Sequence, residues 1–303
     1  MQILAGVFSG GAASVAGYFA GGSGPVSRID KIAFPADTKT TLSATLTTAV
    51  EALGAFANSG IAGYFGGGIG GSNVSGIDKI AFPADSKTTL SATLSTARSS
   101  LAGMANSGTA GYFGGGTDGS NVSGIDKIAF PADSKTTLSA TLSTARKELT
   151  SFANSGVAGY FGSGVDSDFI SGIDKIAFSA DSKSTLSATL THGRQGTGFA
   201  NSSVAGYVAG GYNIDGNAQS TISKISFPAD TKTTLSATLT TASRLLSGMA
   251  DQSIAGYIGG GFDGTFLSRI DKISFAADTK TTLSATFTTA VHSAAGMADC
   301  GVF

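Results

Sequence analysis

The side chains that most often carry out catalysis are scarce in this sequence. It contains two histidines, His192 and His292, and one cysteine, Cys300. The histidines lie far apart along the chain, so the sequence predicts no shared metal site and no cofactor. Cys300 can form no internal disulfide and is interpreted as an incidental or structural thiol. On these residues, the protein is expected not to be an enzyme.

Charged residues recur in a fixed pattern. Five Asp–Lys pairs share the motif IDKI: Asp30–Lys31, Asp78–Lys79, Asp126–Lys127, Asp174–Lys175 and Asp271–Lys272. An active site is normally assembled once from unlike residues, so these repeated pairs are interpreted as structural parts. Glycine-rich stretches such as GGGTDGSN are followed by no Lys-Ser/Thr and no helical pattern, so they predict no phosphate-binding loop.

The overall charge is balanced. The chain has 19 Lys and Arg against 20 Asp and Glu, a formal net charge of −1. Such a chain has no basic surface to attract nucleic acid or an anionic membrane. It also lacks a run of apolar residues long enough to span a bilayer. The sequence therefore predicts neither a nucleic-acid partner nor membrane insertion, and its single cysteine fits a cytoplasmic origin or a virion assembled there.

One motif returns along the whole chain. The stretch ANSGTAGYFGGG at 105–116 has relatives whose tyrosines are Tyr18, Tyr64, Tyr112, Tyr160, Tyr207 and Tyr257, at intervals of 46 to 50 residues. After each tyrosine come a relative of IDKIAF and then a relative of PADSKTTLSATL. This period is typical of β-propeller blades.

Each repeat predicts four short strands. In the third repeat they are strand A at 101–106, strand B at 110–116, strand C at 125–130 and strand D at 136–142. Strand D alternates apolar with polar residues, as a half-buried strand does. Glycines at the end of strand B permit close approach of neighbouring backbones.

Turn residues separate these strands. The sequence NSG between A and B supplies a glycine for a positive φ. Between C and D, Pro131 stands at a strand end, and Asp133 is expected to bond its own backbone ahead.

One four-stranded unit cannot bury both of its faces, so the units are expected to pack radially. The sequence predicts an all-β, six-bladed β-propeller of four-stranded antiparallel blades with a period of about 48 residues. It forms a single domain over 1–303, with a surplus seventh A strand at the C-terminus. The predicted boundaries are blades at about 1–50, 51–98, 99–146, 147–194, 195–244 and 245–291, and a closing strand at 292–303.

The surplus strand leaves two arrangements open. A relative of strand A at 293–299 follows the sixth strand D, while another at 3–10 precedes the first strand B. Either the C-terminal copy completes blade 1 and closes the ring, or one copy is donated to a neighbouring chain. Closure within the chain is favoured, because an exposed edge strand invites aggregation.

The order of these segments resembles the kelch β-propeller repeat over essentially the whole chain. The features that carry the resemblance are an arginine before strand A (Arg98, Arg146, Arg194 and Arg244), paired glycines closing strand B and a hydrophobic-Asp step in strand C. The kelch tryptophan is absent. The arrays GYFGGG and IDKI also resemble glycine-rich repeats of tail and fibre proteins of tailed phages.

The connections between strands differ in how much they vary. The A–B and C–D turns are nearly uniform and are expected on one face of the disc. The B–C and D–A connections vary and are expected on the other face, where a rigid scaffold presents loops for recognition. The residues expected to bind a ligand there are Asp118, Asp166, Asp168, Phe169, Tyr212, Asp215, Phe262, Asp263 and Phe266.

Aspartates beside aromatic residues suit saccharides, since carboxylates bind hydroxyls and rings stack on sugar faces; bound calcium stays open. The function expected is a non-enzymatic structural or adhesive module of a phage tail or fibre, located in the virion. Its partners would be other virion or structural proteins, further copies of the chain and a host-surface glycan. The alternatives are a free-standing, lectin-like soluble protein in the cytoplasm or outside the cell and, less favoured, a propeller glycosidase with paired carboxylates.

Overall fold

Six four-stranded antiparallel sheets form the blades of a closed propeller. The computed structural model describes residues 15–191 and 194–299, and no helix occurs in these two ranges. Twenty-four strands group into the six sheets, so the all-β, six-bladed prediction is confirmed. Kelch-like repeats are compatible with this architecture.

The same four strand positions recur in every blade. The innermost A strands are β24 (Ala295–Ala298), β4 (Gly54–Asn58), β8 (Ala102–Asn106), β12 (Thr150–Asn154), β16 (Thr197–Asn201) and β20 (Ser247–Asp251). The B strands are β1 (Ala16–Ala20), β5 (Ala62–Gly66), β9 (Ala110–Gly114), β13 (Ala158–Gly162), β17 (Ala205–Ala209) and β21 (Ala255–Gly259). The C strands are β2 (Ile29–Ala33), β6 (Ile77–Ala81), β10 (Ile125–Ala129), β14 (Ile173–Ala177), β18 (Ile222–Ser226) and β22 (Ile270–Ser274). The outermost D strands are β3 (Thr38–Thr41), β7 (Ser86–Thr89), β11 (Ser134–Thr137), β15 (Ser182–Thr185), β19 (Thr231–Thr234) and β23 (Thr279–Thr282).

Blade 1 is built from both ends of the described chain. Strand β24 pairs antiparallel with β1, with Met297 opposite Tyr18. The Asp299 carboxylate then accepts hydrogen bonds from the backbone N–H groups of Val15 and Ala16 at 2.9 to 3.1 Å. The favoured prediction of closure by the C-terminal copy of strand A is confirmed. The copy at 3–10 lies outside the described residues.

The predicted D strand was placed too late in each repeat. In blade 3 the ladder covers Ser134–Thr137, whereas 136–142 was expected. Between Leu138 and Leu142, the chain donates only two backbone hydrogen bonds to the neighbouring segment, from Leu138 N to Ile125 O and from Leu142 N to Ser123 O. Leu142 is buried while Ser139 and Thr141 are exposed, so the alternation reflects burial along an extended segment without a strand ladder.

Small residues let the blades crowd around the axis. A Cβ atom on Gly103 would collide with the backbone of Ala55 in the preceding blade. Likewise, a Cβ on Gly111 would overlap the ring of Phe56. These contacts explain why strands A and B combine glycine and alanine with the large side chains that cross each interface.

Adjacent blades are joined by one repeated polar cluster. In blade 2, Tyr64 Oη donates to Asp133 Oδ1 at 2.7 Å, and Lys79 Nζ lies 2.6 Å from Asp133 Oδ2. Asp133 belongs to the C–D turn of blade 3. Phe130 of the same turn stacks on Tyr64 with ring centroids 5.3 Å apart. We call this arrangement the Tyr–Lys–Asp junction.

The junction occurs at all six interfaces. Its Tyr, Lys and Asp members are Tyr18, Lys31 and Asp85; Tyr64, Lys79 and Asp133; Tyr112, Lys127 and Asp181; Tyr160, Lys175 and Asp230; Tyr207, Lys224 and Asp278; and Tyr257, Lys272 and Asp37. Burial and the aspartate both raise the pKa of each tyrosine well above its usual range, so the hydroxyl stays a donor. The expectation that Asp133 bonds its own backbone was wrong, because its carboxylate bonds the preceding blade.

The aspartate of strand C forms a second interface in the opposite direction. Asp126 of blade 3 accepts hydrogen bonds from Ser95 N and Ser95 Oγ of blade 2, both at 2.9 Å. It also pairs with Arg98 Nη2 at 3.2 Å, and both side chains are fully buried. Asp174 and Arg146 repeat this pair at 3.1 Å. In blade 5 a serine, Ser223, takes the place of the aspartate.

A closed circle of backbone hydrogen bonds surrounds the axis. Just before each A strand, one residue with φ between 55° and 59° donates its N–H to the carbonyl of the equivalent residue in the preceding blade. The six residues are Ala52, Ser100, Glu148, Gln195, Leu245 and Ser293. The circle holds the inner strands at one spacing on the side of the D–A connections.

A strands end on an amide or a carboxyl group at the opposite side of the disc. Asn58 Oδ1 accepts from Gly108 N at 2.9 Å, and Asn106 Oδ1 accepts from Gly156 N at 2.9 Å. Asp251 occupies the equivalent position in blade 6 and is buried. Burial raises its pKa to about 6, with repulsion from Asp299 and Asp37 adding to this effect and Lys272 opposing it.

Removing one junction aspartate is expected to destabilise the propeller. Asp133→Ala leaves Tyr64 and Lys79 without their acceptor and places alanine at φ 53°, so we expect a loss of about 2 to 4 kcal/mol in the free energy of unfolding. Asp133→Asn keeps an acceptor for Tyr64 and tolerates the positive φ, so its loss should be smaller. Denaturant unfolding measures both. Asp215→Ala in an exposed loop is the control, and an equal loss in that variant would contradict the structural role.

Replacing the buried carboxyl of Asp251 is expected to change the pH dependence of stability. Because the folded state raises its pKa from 3.8 to about 6, ionisation opposes folding. The wild type should therefore lose stability as pH rises from about 4 through 6, and the cost of about 2 to 3 kcal/mol should persist above that range. Asp251→Asn should be more stable than wild type at about pH 8, and the gain should vanish near pH 4. An equal gain in stability at both pH values would refute ionisation of Asp251 as its cause.

Candidate functional site

The variable connections meet on one face of the disc. In blades 2 to 6, the B–C loop forms an isolated bridge with the D–A connection that leads into the same blade, as in Arg194 with Tyr212 and Arg244 with Phe262. The A–B and C–D turns lie at the opposite ends of the strands. We call the two sides the loop face and the turn face.

Aromatic and arginine side chains alternate along part of the loop face. The Arg194 guanidinium carbon lies 4.8 Å from the ring centroid of Phe169 and 5.3 Å from that of Tyr212. The Arg244 guanidinium carbon lies 4.7 Å from Tyr212 and 4.9 Å from Phe262. The order is therefore Phe169, Arg194, Tyr212, Arg244, Phe262, which we call the arginine–aromatic ladder. A guanidinium over an aromatic ring is attracted to the negative face of that ring, so each stacked pair is stabilised.

Two further rings extend the ladder toward blade 1. Phe266 packs edge-on against Phe262 at 5.9 Å between centroids, and His292 packs edge-on against Phe266 at 4.8 Å. His292 is half-buried in this cluster. Burial lowers the pKa of its imidazole, an effect that nearby Glu51 opposes and Arg244 reinforces. His292 is therefore mainly neutral at neutral pH. His192 and Cys300 lie outside the described residues.

The ladder covers only half of the loop face. At the positions equivalent to Tyr212 and Phe262, blades 2 and 3 carry Ile69 and Thr117. At the positions equivalent to Arg194 and Arg244, they carry Glu51 and Ser99. The Tyr–Lys–Asp junctions repeat at all six interfaces, so they are not the source of this asymmetry.

The four arginines aligned with the kelch repeat divide into two structural classes. Arg98 and Arg146 are buried and pair with strand-C aspartates. Arg194 and Arg244 lie one position later, because their backbone bridges match those of Ser99 and Lys147. Ser243 occupies the buried position before Arg244. The alignment of all four arginines was therefore wrong, and the single-residue offset is the sequence signal that distinguishes the ladder arginines.

Most of the predicted aspartates hold their own loops together. Asp118, Asp166 and Asp263 each accept a hydrogen bond from the backbone N–H two residues ahead, at 2.8 to 3.2 Å. For Asp166, the N–H of Asp168 is the main cause of a lowered pKa. Asp168 and Asp215 are exposed in blades 4 and 5. Within 15–191 and 194–299, no three His, Cys, Asp or Glu side chains form a group that could hold a metal ion.

The structure thus joins some predicted site residues and leaves others apart. Phe169, Tyr212, Phe262 and Phe266 come together across three blades through arginines that the sequence did not single out for binding. Asp168, Asp215 and Asp263 belong to the loops of these same blades. Asp118 belongs to blade 3, outside the ladder.

A narrow cavity of about 130 Å³ follows the propeller axis. It is lined by the starts of all six A strands, including Gly103, Ser151, Gly198 and Gly248. Glu148 and Gln195 stand at its end on the loop face, where Gln195 Oε1 accepts from Arg244 Nη1 at 3.0 Å. The ladder therefore lies beside the mouth of the axial cavity.

The turn face carries a different, repeated surface. One A–B turn position presents exposed aliphatic side chains at 50 to 58 % exposure in five blades: Val15, Ile61, Val157, Val204 and Ile254. The charged residues of the adjacent C–D turns are paired in the Tyr–Lys–Asp junctions. The turn face is therefore uniform, apolar near its inner part and locally neutral.

No protein-family model matches this chain, and no curated protein matches it in sequence. Among the described residues, no helix is long and apolar enough to cross a membrane.

The ladder contact between Arg244 and Tyr212 is expected to be energetically coupled. A double-mutant cycle of Arg244→Met and Tyr212→Leu should give a coupling free energy of about 0.5 to 1 kcal/mol in unfolding measurements. Lys147 and Tyr212 lie in different loops without a ring contact, so a cycle of Lys147→Met with Tyr212→Leu should give a value near zero. Equal coupling in both cycles would contradict the stacked geometry.

Proposed function

We propose that this propeller is a non-enzymatic recognition module that binds a surface glycan at the arginine–aromatic ladder. The observation that carries the proposal is the confinement of the ladder to blades 4 to 6, on a scaffold whose interfaces repeat in all six. Unselected loop variation would scatter aromatic and cationic residues among the blades. Their alternation through successive contacts instead indicates one continuous site.

The chemistry of the loops supports a saccharide ligand. Exposed carboxylates of Asp168, Asp215 and Asp263 can accept hydrogen bonds from hydroxyl groups. Phe266 is 49 % exposed at the end of the ladder and provides an apolar surface beside these acceptors. Neighbouring polar and aromatic groups of this kind are what sugar recognition requires.

The turn face supports a structural role for the same disc. Its ring of exposed aliphatic residues is repeated at equivalent positions, as a surface that packs against another structural protein or another copy would be. We propose attachment through the turn face and recognition through the loop face, in a phage tail or fibre. The phage assignment rests on the resemblance of the repeats to tail and fibre proteins.

A free-standing lectin-like protein is the alternative with the same binding site. The two hypotheses differ in whether the untagged protein co-purifies with a particle or alone. For either one, the disc orientation in electron micrographs of the purified material would show which face points outward.

A glycosidase would need paired carboxylates with one kept protonated. Asp251, whose pKa is raised to about 6, and Asp299 interact electrostatically on the side of the disc opposite the ladder. The Asp299 carboxylate accepts backbone hydrogen bonds from Val15 and Ala16, which gives it a role in ring closure. We therefore propose a structural role for this pair.

Glycan binding is expected to depend on the ladder half of the loop face. Substituting Tyr212→Ala and Phe266→Ala together should weaken binding by about tenfold or more on a glycan array and in titration calorimetry. The matched control is Ile69→Ala with Asn73→Ala, at the equivalent positions of blade 2, and it should bind like wild type. Circular dichroism verifies folding of both variants. A folded ladder variant with unchanged binding would refute the proposed site.

A further inference from the structure

We propose that the ladder selects an acidic polysaccharide, whose anionic groups bind Arg194 and Arg244. This inference rests on the proposed glycan-binding function and specifies its ligand class. It predicts a requirement for negative charge on the sugar.

The two ladder arginines lack the acceptors that the buried arginines have. Arg146 Nη2 donates to the Asp174 carboxylate at 3.1 Å and to the Phe161 carbonyl at 3.0 Å. Arg194, by contrast, makes no hydrogen bond from its guanidinium to another described residue; its nearest carboxylate oxygen, Glu148 Oε2, lies 3.7 Å away. That distance is too long for a hydrogen bond.

Arg244 is also short of acceptors. Its one hydrogen bond within the described chain goes to Gln195, a neutral side chain. A guanidinium carries five N–H donors. Arg194 Nε is buried without a partner, and the other donors that have no protein acceptor are left for solvent or a ligand.

The missing hydrogen-bonded carboxylates follow from position, because Arg194 and Arg244 stand one residue beyond the site of the arginines that pair with strand-C aspartates. Ser223 replaces the strand-C aspartate that would face a blade-4 arginine. In blade 6 that aspartate is present as Asp271, but Thr240 and Thr282 donate to it and Arg269 lies 3.6 Å away. Both guanidiniums therefore lie on the loop face without a hydrogen-bonded carboxylate, beside aromatic rings, and Glu148 is the nearest carboxylate to Arg194.

The ladder also limits how a sugar can approach. Both guanidinium carbons lie over the Tyr212 ring, at 5.3 Å for Arg194 and 4.7 Å for Arg244, so they compete with any sugar for the face of that ring. The groups left to meet a ligand include ring edges, which are electropositive, and guanidinium N–H groups. Both attract oxygen anions, and a planar fork binds a carboxylate or sulfate in two-point fashion.

The surroundings favour a saccharide over an acidic peptide. The guanidinium carbons lie at most about 10 Å apart, through the Tyr212 ring. Exposed carboxylates of Asp168, Asp215 and Asp263 belong to the same three loops and would repel a densely charged polyanion. A polymer with acidic groups on alternate sugars places its anions on the arginines and its hydroxyls on the aspartates.

The test uses titration calorimetry of the full chain with three probes. These are hyaluronan oligosaccharides, which alternate uronate with neutral sugars, the same oligosaccharides after reduction of the carboxyl groups, and poly-glutamate. Chondroitin sulfate distinguishes a sulfate preference from a carboxylate preference. The variants are Arg194→Gln with Arg244→Gln and, as the matched control, Lys147→Gln at the equivalent position of blade 4.

The expected result is binding of hyaluronan or chondroitin sulfate by wild type, with a loss of about tenfold or more on carboxyl reduction and in the double arginine variant. The affinity of Lys147→Gln should stay within about twofold of wild type, because the stacked guanidinium groups, and not the net charge, select the ligand. Thermal unfolding confirms that each variant folds.

Other outcomes separate the two proposals. Equal binding of the acidic and reduced oligosaccharides would overturn the charge requirement and leave the glycan site intact. Binding of neither by wild type, together with an unresponsive glycan array, would overturn both. Poly-glutamate binding as tightly as hyaluronan, or an equal loss in Lys147→Gln, would show that charge alone acts and would overturn the selectivity.

Discussion

The propeller depends on one constraint: the adjacent Asp and Lys of strand C point to opposite faces of their blade. Successive side chains of a strand point to opposite faces, so neighbouring Asp126 and Lys127 must face different blades. Asp126 receives donors from blade 2, while Lys127 pairs with Asp181 of blade 4. Strand C is covered on both sides, and each charge is costly to bury without its partner. The pattern therefore fixes the direction in which successive blades pack and the register between them.

Backbone hydrogen bonds close the propeller in addition to these side-chain contacts. The innermost residues with positive φ donate to one another around the axis, and β24 completes blade 1 by pairing with β1. Asp299 bonds Val15 and Ala16 at the same joint. No junction is left without a partner among the six described interfaces.

The fold was predictable from the sequence because period, strand order and turn residues agreed with one another. The prediction misplaced strand D because Leu138 and Leu142 are shielded from solvent although their segment forms no strand ladder. An alternating apolar pattern cannot distinguish such a segment from a paired strand. The site was half predictable: variable loops drew attention to Phe169 and Tyr212. Arg194 was assigned to the wrong class because one residue is lost from its connection, and its bridge to Tyr212 shows the change of register. Loop aspartates looked like ligands because turn-capping and binding favour the same residue type.

Repetition of one interface has a consequence for how such a chain can change. Each repeat presents the same complementary surfaces to its neighbours, so a gene segment encoding one blade can be exchanged for another without new junctions having to evolve. The number of blades that fit around the axis is then limited by the close packing of inner strands, as between Gly103 and Ala55, and not by the side-chain junctions. Recombination between repeats would shuffle loop faces on a conserved frame, generating new specificities in single steps.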